Sequence, residues 1–301
     1  MPRSRKLRRR LVGKFSNLLI GGFERWMHGK TAEQAERAGK KLGRTLFRVS
    51  KKHRNRALDN LKLAYPNMPE SERKELAIRV FEHFGMVATD FMRASTRTDE
   101  EVVAHMEVEG REIVDRVLAE GKGMLVVTAH FGNWERFAQF ARTQGKEIFA
   151  VARDLDDAQA HADVNRLREL TGLTVISRGN AARTMISLLR ENKIVALLPD
   201  QNCSESFLPF FGLPTGTVLG PATISVRTGA PLVPAFCARL GPGRYKTIVW
   251  PPLEPVPDIE NRIEALSRAM NDAIERVIRM YPDQWLWFHD RWKSARRRGL
   301  V

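Results

Sequence analysis

Residues 124–135 read Met124-Leu-Val-Val-Thr-Ala-His130-Phe-Gly-Asn-Trp-Glu135. An apolar run that ends on a histidine, a glycine turn and an Asn helix cap describes a buried strand that feeds a helix. The pattern repeats downstream. Apolar runs at 147–152, 173–177 and 194–199 alternate with helical stretches near 134–144, 157–170 and 180–191. Strand–helix alternation on this scale predicts an α/β fold with a mainly parallel central sheet flanked by helices. Further strands fit 231–239 and 245–250, and an amphipathic helix fits about 259–280.

Upstream, the chain reads as helices. Thr31 with Gln34 has capping-box spacing and opens a helix to about residue 50. A second covers about 54–64, before Pro66, and Asn67 with Glu70 opens a third, with Leu76, Val80, Phe84, Val87 and Phe91 on one face. The expected organisation is a basic amphipathic helix at 1–30 and one domain at 31–301. That domain comprises an N-terminal helical layer (31–109), an α/β core (110–290) and a basic tail (291–301).

Charge is unevenly placed. The chain has a net charge of +15, and residues 1–56 hold 18 Lys and Arg against three Glu. Leu7, Leu11, Phe15, Leu18, Gly22 and Trp26 recur at helical spacing beside Arg3, Arg5, Lys6, Arg8, Arg9 and Arg10. An apolar stripe with cations and a Trp suits a helix lying in an anionic membrane surface. A solvated charge run beside a core helix is the plainer reading. No run approaches the ~18 apolar residues of a spanning helix. RNA lacks an aromatic RNP-like strand to bind it, so nucleic acid is not an expected partner. The two cysteines, Cys203 and Cys237, form no C-x-x-C or Cys/His cluster, which argues against a zinc module and a redox site. P-loop, dinucleotide and nucleophile-elbow motifs are missing.

The strand ends carry the chemistry. Each of the four runs finishes on a polar residue, namely His130, Arg153, Arg178 and Asp200. In open parallel sheets ligands bind beyond the carboxyl ends of the strands, so these residues are expected on one edge. His130 precedes Glu135 by five residues, and a carboxylate that orients one ring nitrogen frees the other as general base. His28 with Glu33 has the same spacing but no strand before it. His83 and His289 read as packing, and Cys203 lacks a dedicated base.

Together these segments resemble a family. His130-Phe-Gly-Asn-Trp-Glu135, Leu198-Pro-Asp200-Gln201, Pro209-Phe-Phe-Gly212 and Thr228-Gly-Ala-Pro-Leu-Val-Pro234 resemble the lipid A late acyltransferases, within the wider H-x4-[D/E] acyltransferases. So do Asn60-Leu-Lys-Leu-Ala-Tyr-Pro66 and Tyr281-Pro-Asp-Gln-Trp-Leu-Trp-Phe-His289. The resemblance implies an acyl-acyl carrier protein donor and a Kdo2-lipid IVA type acceptor at the cytoplasmic face of the inner membrane. Family members often begin with a membrane-spanning anchor, and this chain departs from them with only a short stripe interrupted by Lys14, so peripheral or monotopic attachment is expected. The resemblance implies no metal or redox cofactor. In the resulting mechanism His130 is general base and Glu135 fixes its tautomer. Arg153 or Arg178 stabilises the oxyanion or an acceptor phosphate, the resemblance favouring Arg153, and Asp200 orients that arginine or the acceptor sugar. Asn133, Arg178, Gln201, Phe210 and Phe211 are the expected substrate-binding residues. Phe207, Leu208, Phe210, Phe211 and Leu213 would wall an acyl groove, a pattern that also fits core packing. Phosphatidylinositol mannoside or lysophosphatidic acid acceptors, a thioester hydrolase and a non-catalytic membrane-binding protein are the alternatives.

Overall fold

A computed structural model describes residues 21–152 and 158–301. Seven strands form one sheet. They are β1 (Met106–Glu109), β2 (Met124–Val127), β3 (Ile148–Ala152), β4 (Leu173–Ser177), β5 (Ile194–Leu197), β8 (Leu232–Gly241) and β9 (Arg244–Val249), in the order β1-β9-β8-β2-β5-β3-β4. All neighbouring pairs are parallel except the β8–β9 hairpin. The expected α/β class and parallel sheet are therefore present. β1 is an addition, since its four residues are mostly exposed and lack the apolar run that marks a buried strand.

β2 is central, and all four of its side chains are buried. Leu125 and Val127 enter a core on one face of the sheet, while Met124 and Val126 enter another on the opposite face. This period-2 division explains why a fully apolar run is needed here. The chain leaves β2 through α7 (Trp134–Thr143) to β3, continues through α8 (Ala158–Leu170) to β4, and returns through α9 (Ala181–Arg190) to β5. β5 thus inserts between β2 and β3. Later β8 joins β2 from its other side, so strand order reverses at β2, and in open parallel sheets ligands bind beyond the carboxyl ends of the strands at such a point.

The helical layer holds α1 (21–28), α2 (Ala32–Val49), α3 (Lys51–Ala64), α4 (Glu70–Met92) and α5 (Asp99–Ala104). Thr31 and Gln34 close the expected capping box. Asn67 does not cap α4. Pro69 occupies that position, because Met68 N–H turns back to the Tyr65 carbonyl before the helix starts. Only Gly22 and Trp26 of the predicted stripe lie among the described residues. Met27, fully buried, faces the body, while Trp26 is half exposed beneath the Lys30 ammonium, 4.8 Å from its ring centroid. No described helix is long and apolar enough to cross a membrane.

α2 and α4 meet through glycines. A Cβ at Gly43 would lie 2.1 Å from the Phe81 carbonyl oxygen, and one at Gly85 would lie 2.1 Å from that of Gly39. Backbone stands against backbone, so neither helix can yield by a rotamer change. Gly43→Ala is expected to destabilise the protein by about 1–3 kcal/mol, the usual cost of overpacking. Urea unfolding measures this, and an unchanged midpoint would disprove the close approach.

A two-stranded hairpin, β6 (Ser206–Phe210) with β7 (Leu213–Thr217), turns at Phe211-Gly212, both with positive φ. α11 (Arg262–Met280) packs beneath it after the Asn261 cap. The expected groove walls Phe210 and Phe211 are buried instead, at 1% and 7% exposure. Phe210 stacks edge-on to Trp285, with centroids 5.6 Å apart, and close to Trp292. Strand alternation turns Phe210 into the core, and the left-handed backbone of the turn at Phe211 sets its ring against Trp287, so both rings serve packing.

Candidate active site

β2 and β5 are parallel neighbours, and the residues that follow them meet at the carboxyl edge of the sheet. The His130 Nδ1 lies 2.8 Å from Asp200 Oδ1, and the His130 backbone N–H donates to Asp200 Oδ2 at 2.9 Å. The Trp285 indole N–H donates to the same Oδ2 at 2.9 Å. One buried carboxylate thus accepts three hydrogen bonds. An ionised carboxylate at Nδ1 fixes the proton there and leaves Nε2 with its lone pair. Burial alone would raise the Asp200 pKa, but His130 and these donors hold it well below the usual carboxylate range. Burial would likewise lower His130, and the Asp200 charge and hydrogen bond reverse this, with a smaller through-space contribution from Glu135. Its pKa is raised on balance.

Glu135 does not hold the His130 ring, which corrects the expectation from spacing. Its carboxylate accepts from Arg168 Nη2 at 2.7 Å and Nε at 3.1 Å, and from the Trp134 indole at 3.1 Å. The first turn of α7 points Glu135 toward α8, where Arg168 fastens it. Asp200 takes the orienting role. It does so because β5 lies beside β2, a neighbour relation that separates the partners by 70 residues.

The other expected residues are dispersed. Gln201 is exposed with its amide nitrogen 3.4 Å from His130 Nε2. Asn133 is a correction. It is buried as the α7 cap, accepting from Arg136 N–H and donating to Asp90 Oδ2 at 2.9 Å, and so has no face for substrate. Arg153 lies outside the described residues. Arg178 opens a short 3-10 turn after β4, the edge strand, with β3 between it and β5.

Several contributors are not marked by the sequence as site residues. Trp285 reaches Asp200 because Leu286 N–H pairs with the His130 carbonyl, bringing the C-terminal aromatic segment alongside the turn. Arg291, fully buried, donates to the carbonyls of Gln201 and Gly216 and steadies the residues after Asp200. Burial pushes its pKa down to about 10. His289 Nε2 accepts the Asn202 N–H at 3.0 Å, a structural use as expected. The half-buried rings of Phe84, Trp134 and Phe288 form an apolar wall beside His130, whose ring centroid is 5.4 Å from that of Trp134. The Cys203 thiol pKa is raised by burial, away from nucleophilic use. Among the described residues no cluster of His, Cys, Asp or Glu is arranged to hold a metal.

His83 supports the turn from below. Its Nε2 donates to the Gly132 carbonyl at 3.0 Å, and burial pushes its pKa from 6.5 to about 4. Below pH 6.5 the unfolded chain binds a proton that the folded chain refuses until about pH 4, so stability falls as pH falls through that window. The loss between pH 7 and 4.5 is expected to be roughly 2–3 kcal/mol. His83→Gln should abolish this share in urea titrations at the two pH values, and an unchanged difference would refute it.

A family model described as bacterial lipid A biosynthesis acyltransferase matches residues 25–294. The chain is 29% identical over 263 residues to the lipid A biosynthesis lauroyltransferase of Escherichia coli (strain K12), spanning 86% of this chain and 85% of that protein. It is 27% identical to the lipid A biosynthesis palmitoleoyltransferase of the same strain, with 85% and 84% covered. The phosphatidylinositol mannoside acyltransferase of Mycobacterium tuberculosis (strain CDC 1551 / Oshkosh) is 25% identical over 219 residues, with 70% and 68% covered. The family match takes in both the His130 turn and the Asp200 strand end, and the chain belongs to the bacterial lipid A biosynthesis acyltransferases.

Proposed function

We propose that this acyltransferase moves a fatty acyl chain from acyl-acyl carrier protein to a hydroxyl of a Kdo2-lipid IVA type acceptor. The observation that carries the reading is the His130 ring, fixed by Asp200 through Nδ1, with Nε2 turned away from that carboxylate beside an apolar wall and the exposed Gln201 amide. His130 Nε2 takes the proton of the acceptor hydroxyl as its oxygen attacks the thioester carbonyl. The tetrahedral intermediate collapses, the C–S bond breaks, and the imidazolium returns the proton to the leaving thiolate. Asp200 stabilises the imidazolium between these steps, and base catalysis of this kind contributes about 10²–10⁴-fold. Arg168, fastened to Glu135 and a fifth exposed, is a cation within electrostatic reach of His130. Phe84, Trp134 and Phe288 offer the acyl chain an apolar surface next to the base.

The basic charge of residues 1–56 and the exposed Trp26 with Lys30 support attachment to an anionic membrane surface, here proposed as the cytoplasmic face of the inner membrane. The same basic surface suits an acidic carrier protein. The mannoside-specific relative makes a mannosylated phosphoinositide the second acceptor to try.

Incubation with acyl-acyl carrier protein and Kdo2-lipid IVA, followed by mass spectrometry of the lipids, tests the proposal. An acyl mass gain that His130→Ala abolishes is expected. Turnover on the mannoside alone would change the acceptor. Release of free fatty acid without any acylated lipid would replace transfer by hydrolysis.

A further inference from the structure

At the carboxyl end of α4, behind the start of α7 and on the far side of Asn133 from His130, three arginines surround one buried carboxylate. Asp90 accepts from Arg97 Nη2 and from the Asn133 amide, and Arg136 Nε stands 3.5 Å from its Oδ2. Arg136 is 3% exposed, stacks over the Tyr245 ring at 5.1 Å and donates to Gln139. The Arg97 side chain is 8% exposed. Arg93, half-buried, lies within electrostatic reach of Arg97, Asp90 and Arg136. Within the cluster one buried carboxylate faces three guanidinium groups, and the exposed Glu33 acts on Arg93 from outside it.

The hydrogen bonding is equally incomplete. Arg93 Nε and Nη1, Arg97 Nη1 and Arg136 Nε are all buried and have no acceptor. Guanidinium N–H groups without partners in a water-poor place are costly, and planar forks of this kind match tetrahedral oxyanions in bidentate fashion. Arg93 is a partly exposed member of the cluster. His28 at the end of α1 bonds the Met92 carbonyl at 3.1 Å, placing Arg93 next to the helix that exposes Trp26.

We propose that Arg93, Arg97 and Arg136 form a binding site for a phosphate group, entered past Arg93 from the side of α1. The ligand is a free phosphate or the phosphomonoester headgroup of a lipid, which share the same charge and oxygen geometry. This site does not depend on the acyl-transfer reading.

Melting of the full-length protein in inorganic phosphate, against chloride at equal ionic strength, tests it. Phosphate should raise the melting temperature in a saturable manner. Arg93→Gln should need about tenfold more phosphate, the loss of roughly one charge-assisted pair, whereas Arg183→Gln on exposed α9 should not. A wild type that responds no differently to phosphate and chloride would overturn the site, as would equal losses in both variants. Flotation with phosphatidylcholine vesicles, with and without phosphatidic acid, separates the sources. Phosphatidic acid binding that is weakened by Arg93→Gln and competed by phosphate assigns a headgroup. A phosphate effect lost in Arg93→Gln with vesicle binding unchanged assigns the free anion.

Discussion

Asp200→Asn should leave the protein folded and lower kcat by about 10²–10⁴-fold, the range of a correctly poised base. The reason lies in donor counting. Asp200 Oδ2 accepts two N–H groups, from the His130 backbone and the Trp285 indole, while Oδ1 faces His130 Nδ1. An asparagine keeps its oxygen toward the two N–H donors and turns its amide nitrogen to the ring. Nδ1 must then present a lone pair and the proton moves to Nε2, the wrong tautomer for a base. The same substitution in the Ser-His-Asp triad acts in this way. With the carboxylate gone, His130 also loses the main influence that raises its pKa. Activity, measured as kcat/KM, should rise with pH through the His130 pKa, and in Asp200→Asn this limb should move to lower pH as its plateau falls. Glu135→Gln should move the limb less, because Glu135 acts through space and is paired with Arg168. A larger displacement in Glu135→Gln would hand the orienting role back to Glu135.

Gly132→Ala should damage stability and catalysis together. Gly132 has φ +56°, and a Cβ there would lie 1.9 Å from the Cys237 carbonyl oxygen. The turn is fixed on every side. Gly132 N–H donates to Gln284, Asn133 N–H donates to the Cys237 carbonyl, and the Gly132 carbonyl accepts from His83. A methyl group must push the turn off β8 and break at least one of these bonds. Left-handed strain and overpacking together should cost about 3 kcal/mol. Moving the base by about 1 Å should lower kcat about 10²-fold. Urea midpoints and steady-state rates check the two effects. A stable, fully active Gly132→Ala would mean the turn is not held against β8 as described.

How much of this was legible beforehand varies with the range of the interaction. The runs ending at His130 and Asp200 were readable because burial on both faces of a parallel sheet demands uninterrupted apolar residues. The Thr31 capping box and the Asn133 cap were readable because they are satisfied within four residues. The resemblance added the activity class, which no periodicity carries. Phe210 and Phe211 looked equally suited to a groove and to a core, and only the hairpin's placement on α11 decided for the core. Arg168, Trp285, Phe84 and Phe288 were not legible as site residues, since nothing local marks a side chain whose partner lies tens or hundreds of positions away.

His130 and Glu135 show the boundary most clearly. By itself the sequence determined that a strand delivers a histidine to the edge of a parallel sheet, followed at once by a capped helix, because those features rest on local hydrophobicity, turn chemistry and hydrogen bonds. Which carboxylate holds that histidine was decided only in three dimensions. Strand order sets β5 beside β2 and brings Asp200 to the ring, while helix packing aims Glu135 at Arg168. Hydrogen bonds act over about 3 Å of space, and distance along the chain does not fix distance in the fold.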